Sequence, residues 1–103
     1  MPEQPLVRLV RLTLRPDAIE EFLDIFAEAA PRIRATPGCL SLELWQDTRY
    51  PNILSTHSRW QTAAALEAYR SSAYFEATWK RTRALFAAPP FAASHNLVTD
   101  DRF

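Results

Sequence analysis

The sequence predicts an α+β domain in the order β-α-β-β-α-β, with a four-stranded antiparallel sheet covered by helices on one face. Three observations predict it. The chain of 103 residues contains one glycine, Gly38, which stands between a helical segment and an alternating Leu-x-Leu-x-Leu run. Two strand-like runs, CLSLELWQ and ILSTHSRW, are separated only by the turn-rich DTRYPN. Helically spaced apolar stripes fill the intervals between the first and second strands and between the third and fourth. At this length the whole chain, residues 1–103, reads as one domain with its core at about 6–99.

Residues 6–14 (LVRLVRLTL) form the first strand. Leu6, Arg8, Val10, Leu12 and Leu14 point to one side, and Val7, Leu9, Arg11 and Thr13 to the other. Both sides are largely apolar, so the strand should be covered on both faces. Arg8 and Arg11 fall on opposite faces, and each needs water or a carboxylate. Pro16 opens the first helix at a position where a missing N–H costs nothing. Asp17, Glu20 and Glu21 lie near the positive end of the helix dipole, and Arg32 and Arg34 near its negative end. Ile19, Phe22, Leu23, Phe26, Ala29, Ala30 and Ile33 make its apolar stripe. Pro31 interrupts that pattern and predicts a kink or a looser last turn.

Pro37 closes the segment and Gly38 supplies a positive φ for the turn. The second strand, residues 40–46, directs Leu40, Leu42 and Leu44 one way and Ser41, Glu43 and Trp45 the other. After the loop at 47–52, Ile53–Trp60 returns as the third strand, making an antiparallel hairpin. Thr62 caps a helix starting near Ala63. Ser71-Ser72 interrupts it, and Ser72 caps a second segment in which Phe75, Trp79, Thr82 and Phe86 line one face. Pro89-Pro90 terminates that segment. Residues 91–99 (FAASHNLVT) form the fourth strand, and residues 100–103 a polar tail. This is the ferredoxin-like arrangement. Helices on one face leave the other exposed, and these strands are too apolar for that, so a homodimer through the sheet is expected.

Composition narrows the function classes. Twelve basic and twelve acidic side chains cancel, so bulk charge favours neither nucleic acid nor an anionic membrane. The cluster Lys80, Arg81 and Arg83 reads as a solvated helix face. The single cysteine, Cys39, excludes an intramolecular disulfide and a thiolate zinc site, and reads as an inert thiol. No run approaches a membrane span of about 20 apolar residues. The first residues lack the pattern of a signal peptide, so a cytoplasmic location is expected.

No phosphate loop, nucleophile elbow or paired-cysteine metal motif is present. Two histidines, His57 and His95, sit on strands from opposite halves of the fold, and either could face the helices. Histidine is the residue type that titrates near neutrality, so both are candidate bases; the plainer reading is a hydrogen-bonded or exposed imidazole. Two histidines alone make a poor metal site. Trp45, Trp60, Tyr69, Tyr74, Phe75 and Trp79 gather around the hairpin and the second helical pair. They are either core or the wall of a pocket for a flat aromatic ligand.

The run from Val7 to Pro16, the Pro37-Gly38-Cys39-Leu40 turn, Pro51-Asn52-Ile53 and Trp60-x5-Leu66-x2-Tyr69 resemble the antibiotic biosynthesis monooxygenase family, closest to its quinol monooxygenases. The similarity covers roughly residues 6–98. It implies a dimeric α/β barrel formed by two packed sheets, with a pocket in each subunit between helices and sheet. It also implies oxidation of a quinol or polyhydroxylated aromatic with O₂ and no metal, flavin or other cofactor. Members that degrade haem carry an Asn, a Trp and a His where this chain has Val10, Tyr69 and Trp79, which speaks against haem. Polyketide-tailoring members use a tryptophan on the third strand, matched by Trp60. The resulting expectation is His57 as base, with His95 second. Arg11 or Arg8 would stabilise a phenolate, and Trp60, Tyr69, Trp79 and Tyr74 would hold the substrate. The alternative is a non-catalytic dimeric module that binds a small aromatic metabolite.

Overall fold

The structure, a computed structural model, describes residues 5–99 and 102. The polar tail read at 100–103 therefore lies outside the described residues, apart from Arg102. Four strands, β1 (Leu6–Thr13), β2 (Cys39–Gln46), β3 (Ile53–Trp60) and β4 (Phe91–Asn96), form one sheet in the spatial order β2-β3-β1-β4. Every pairing is antiparallel. Three helices, α1 (Ile19–Arg34), α2 (Ala63–Arg70) and α3 (Ala73–Arg83), supply the second layer. This is the ferredoxin-like α+β arrangement, with an open sheet.

Local chemistry sets each junction. Pro16 begins a 3₁₀ turn (Pro16–Ala18) that leads into α1. Pro31 lies inside α1, which continues to Arg34 and tightens at its end, where Thr36 N–H donates to the Ile33 carbonyl at 3.0 Å. Gly38 has φ 87°, the left-handed region open to glycine, and a Cβ there would collide with Ala65 Cβ on α2. Thr62 Oγ1 accepts from Ala65 N–H at 3.0 Å and Ser72 Oγ from Phe75 N–H at 3.1 Å, so each short helix carries its own N-cap. Ser72 Oγ also donates to the Tyr69 carbonyl at 2.6 Å, which ties the end of α2 to the start of α3.

Three boundaries differ from the sequence reading, each for a backbone reason. A bulge between Cys39 and Ser41 takes Leu40 out of the alternation, so Leu40 is 52% exposed while Leu42 is buried. Helix α3 ends at Arg83, well before Pro89-Pro90, because the end of β1 captures the following backbone. Arg15 N–H donates to the Leu85 carbonyl at 2.9 Å and Ala87 N–H to the Thr13 carbonyl at 2.8 Å. Strand β4 stops at Asn96, opposite Leu6; the next position on β1 is Pro5, which has no N–H to offer.

The core is concentrated at one end of the sandwich, where Leu12, Leu14, Ala18, Phe22, Ile25, Leu54 and Leu85 pack together. At the other end the helix-facing strand positions are Arg8, Thr56, Ser58 and Ala92, too small or too polar to fill the space beneath the broken α2–α3 unit. The sandwich is solid at one end and hollow at the other.

Candidate functional site

The hollow end is a cavity of about 270 Å³ between sheet and helices. Its floor is Arg8, Val10 and Leu12 of β1, Leu42 of β2, Thr56, Ser58 and Trp60 of β3, and Ala92 of β4. Helix α1 contributes Phe22, Ile25, Phe26, Ala29 and Ile33 to the wall. The α2–α3 unit closes it with Leu66, Tyr69, Arg70, Phe75, Thr78, Trp79 and Thr82. An engineered cavity of about 150 Å³ takes benzene, so this volume suits about two fused rings.

A chain of aromatic rings follows the wall. Trp60 stacks on Tyr69 at 5.3 Å, Tyr69 meets the edge of Phe75 at 5.2 Å, and Phe75 stacks on Trp79 at 5.9 Å. Trp60 is 1% exposed, and its Nε1–H donates to Ser58 Oγ at 3.0 Å. The Ser58 hydroxyl in turn donates to the Arg8 carbonyl at 3.4 Å, which couples the indole to the strand that carries Arg8. Burial, helped by Tyr74 and Cys39, pushes the Tyr69 phenol up to about 12, so it remains a hydroxyl donor at neutral pH.

Among the described residues, the permanent charges that line the cavity are Arg8 and Arg70. Arg8 is partly buried, and its Nη1 donates to Ser94 Oγ at 3.1 Å. Burial lowers its pKa, the charge of Arg70 lowers it further, and Glu67 acts in the opposite direction. Glu67 is itself paired with Arg70 at 3.3 Å. The cavity is thus apolar and aromatic along its length and cationic at one end.

The residues singled out from sequence divide between two faces. Trp60, Tyr69, Trp79 and Arg8 line the cavity together. Arg11, His57 and His95 do not. On β1 the side chain of Arg8 faces the cavity, so Arg11, three residues on, must project from the opposite face. His57 lies between the cavity residues Thr56 and Ser58 and so points away from it, and His95 pairs across from Val7 on that same outer face. The expected roles of His57 and His95 as base, and of Arg11 beside a phenolate, therefore lack access to a ring bound under the helices; the sheet stands between.

On the outer face, His57 stacks on Trp45 with centroids 4.5 Å apart. Its Nδ1 is buried without a hydrogen-bond partner, 3.9 Å from Glu43 Oε1. The Arg11 guanidinium stands 5.5 Å from the centre of the Phe91 ring. Tyr74 lies outside the main cavity. It packs in a shallow hollow beside Thr36 and Ala65, under the Arg32 guanidinium at 4.0 Å. Tyr69 borders both hollows. Sequence reasoning gave Arg70 no role. Its signal was the spacing from Leu66 and Tyr69, which places all three toward one side of α2.

Cys39 is partly buried with its Sγ 3.7 Å from the Ser41 carbonyl, and burial pushes the thiol up, away from the reactive thiolate. Among the described residues no group of three or more His, Cys, Asp or Glu could hold a metal ion, and no helix is long and apolar enough to cross a membrane.

Comparison with known proteins agrees with this fold. The chain is 26% identical over 87 residues to an uncharacterized protein of Synechocystis sp.. That match covers 84% of this chain and 59% of the relative, so the chain corresponds to only part of it. A crystal structure of an antibiotic biosynthesis monooxygenase superposes with a TM-score of 0.85 at 21% identity, covering 91% of this chain and 99% of the other. The structure of Rv0793 from Mycobacterium tuberculosis superposes with a TM-score of 0.86 at 20% identity, covering 95% and 99%. At such identities these structures speak for the fold. The family model for antibiotic biosynthesis monooxygenases matches residues 5–81, from the first strand through most of α3, and the chain belongs to that family.

Proposed function

We propose that the chain is a cofactor-independent monooxygenase that oxidises a quinol or polyhydroxylated aromatic with O₂, working as a cytoplasmic homodimer. The observation that carries this reading is the cavity itself, walled by aromatic rings and ending at Arg8. The reactivity lies in the substrate. A phenol that loses its proton becomes an electron-rich phenolate, which passes one electron to O₂. The resulting radical and superoxide combine to a ring-carbon peroxide. Loss of the ring C–H proton and cleavage of the O–O bond then leave a quinone carbonyl. One oxygen atom ends in the product and the other in water.

The chain's own residues would lower the barriers to these steps. Arg8 favours the phenolate over the phenol, because a partly buried cation beside an apolar cavity is less screened than one in water. The Tyr69 hydroxyl donates to a substrate oxygen, and Trp60, Phe75 and Trp79 hold the ring and exclude bulk water. Among the described residues no carboxylate or imidazole lines the cavity, so the phenolic proton would leave to water at the cationic end.

Support for the dimer comes from the outer sheet face, where Trp45 is 47% and Phe91 53% exposed beside Val7, Leu9 and Ile53. Covering such a face removes aromatic surface from water. That no carboxylate or imidazole among the described residues lines the cavity favours a second reading, the non-catalytic module that binds an aromatic metabolite. O₂ uptake by metal-stripped protein against a panel of quinols and anthrone-like phenols, corrected for autoxidation, separates the two. Protein-dependent uptake that survives chelation and falls in Arg8→Met supports the oxygenase. Quenching of tryptophan fluorescence by the same compounds without uptake supports the module.

A further inference from the structure

Two arginines stand at one end of the cavity, which is more donor groups than a single phenolate oxygen uses. Arg8 and Arg70 both line it, and the charge of Arg70 disfavours that of Arg8. Among the described residues no acidic side chain lines the cavity, and the nearby Glu67 is engaged by Arg70. Arg70 is exposed and Arg8 partly buried, so the two stand at the water-facing end of an apolar cavity, where an anionic ligand group gains from both. Among the described residues nothing on this chain forms an ion pair with Arg8; its bond goes to a neutral hydroxyl, Ser94 Oγ.

We infer that the ligand of this cavity is an aromatic acid of about two fused rings, its carboxylate held by Arg8 and Arg70 and its rings lying along Trp60, Tyr69, Phe75 and Trp79. The inference rests on the reading of the cavity as a substrate site and narrows the substrate from polyhydroxylated aromatics in general to those bearing an acid. Arginine is suited to this role, since its planar fork matches a carboxylate with two parallel bonds. Glu67 then acts as a competitor: it holds Arg70 when the cavity is empty and yields to the ligand's carboxylate.

Equilibrium binding of 2-naphthoate and its neutral isostere 2-naphthamide, read by quenching of tryptophan fluorescence, tests the inference without requiring turnover. Naphthoate should bind about tenfold or more tightly than naphthamide, the scale of one charge-assisted hydrogen bond, and the difference should shrink at high salt. Arg8→Gln and Arg70→Gln should each bring the two affinities together, weakening naphthoate more than naphthamide. Glu67→Gln should widen the difference, which a merely structural pair would not do. Equal affinities of the two compounds for the wild type would overturn the acid and leave the oxygenase reading standing. Failure of both compounds to bind would overturn the acid and the aromatic site together.

Discussion

Replacing Trp60 with phenylalanine probes the residue that joins the core to the cavity. Its indole is 1% exposed, donates to Ser58 Oγ at 3.0 Å and stacks on Tyr69 at 5.3 Å. Trp60→Phe removes one buried hydrogen bond, a net loss of about 1 kcal/mol. It also removes roughly 40 Å³ of side chain next to an existing void, which at about 24 cal/mol per Å³ adds about 1 kcal/mol. The expected loss is therefore about 2 kcal/mol, or a fall in Tm of about 8–16 °C for a domain of this size. Urea denaturation at fixed protein concentration measures it, since dimerisation would make the midpoint concentration-dependent. Ser58→Ala strands the indole N–H in a buried site and should also destabilise, by about 1–3 kcal/mol. Because the two share one bond, the double variant should lose less than the sum. A Trp60→Phe loss under about 0.5 kcal/mol, or strict additivity with Ser58→Ala, would refute the buried bond.

Other outcomes follow from the same structure. Gly38→Ala should destabilise by more than about 1–2 kcal/mol, since alanine pays that for the left-handed backbone alone and its Cβ also meets Ala65. Adding Ala65→Gly should restore only the part due to the collision, as read by the urea midpoint. Tyr69 has its phenol raised from 10 to about 12 in the fold, so its contribution to stability is complete below pH 10 and is lost as pH rises toward 12. Other groups titrate in that window, so the comparison is with Tyr69→Phe, whose stability should fall less between pH 10 and 12 in pH-dependent urea denaturation. A parallel decline of the two proteins would show that Tyr69 is not buried as described.

Much of the architecture was legible in the residues because local rules and long-range packing agree there. Gly38 fixed a turn that no other residue could make without strain, Thr62 and Ser72 marked two helix starts, and strict alternation set the faces of β1 and β3. The bulge at Leu40 and the early end of α3 were not legible, since both depend on what a distant strand offers as a hydrogen-bond partner. The same limit applies to the site. Alternation showed that Arg8 and Arg11 must part, yet it could not say which would face the helices.

The sequence by itself determined the order of elements, the opposition of neighbouring strand residues and the gathering of aromatics near α2 and α3. Tertiary structure alone decided that His57 and His95 lie outside the cavity, that Arg8 lies within it, and that Arg70 from α2 joins it there. The physical reason is that period-2 alternation defines two faces without naming them. The name comes only when the helices pack, and they pack over the face that presents Leu12 of β1 and Leu54 of β3, with Leu14 just beyond β1, which are buried at the solid end of the sandwich.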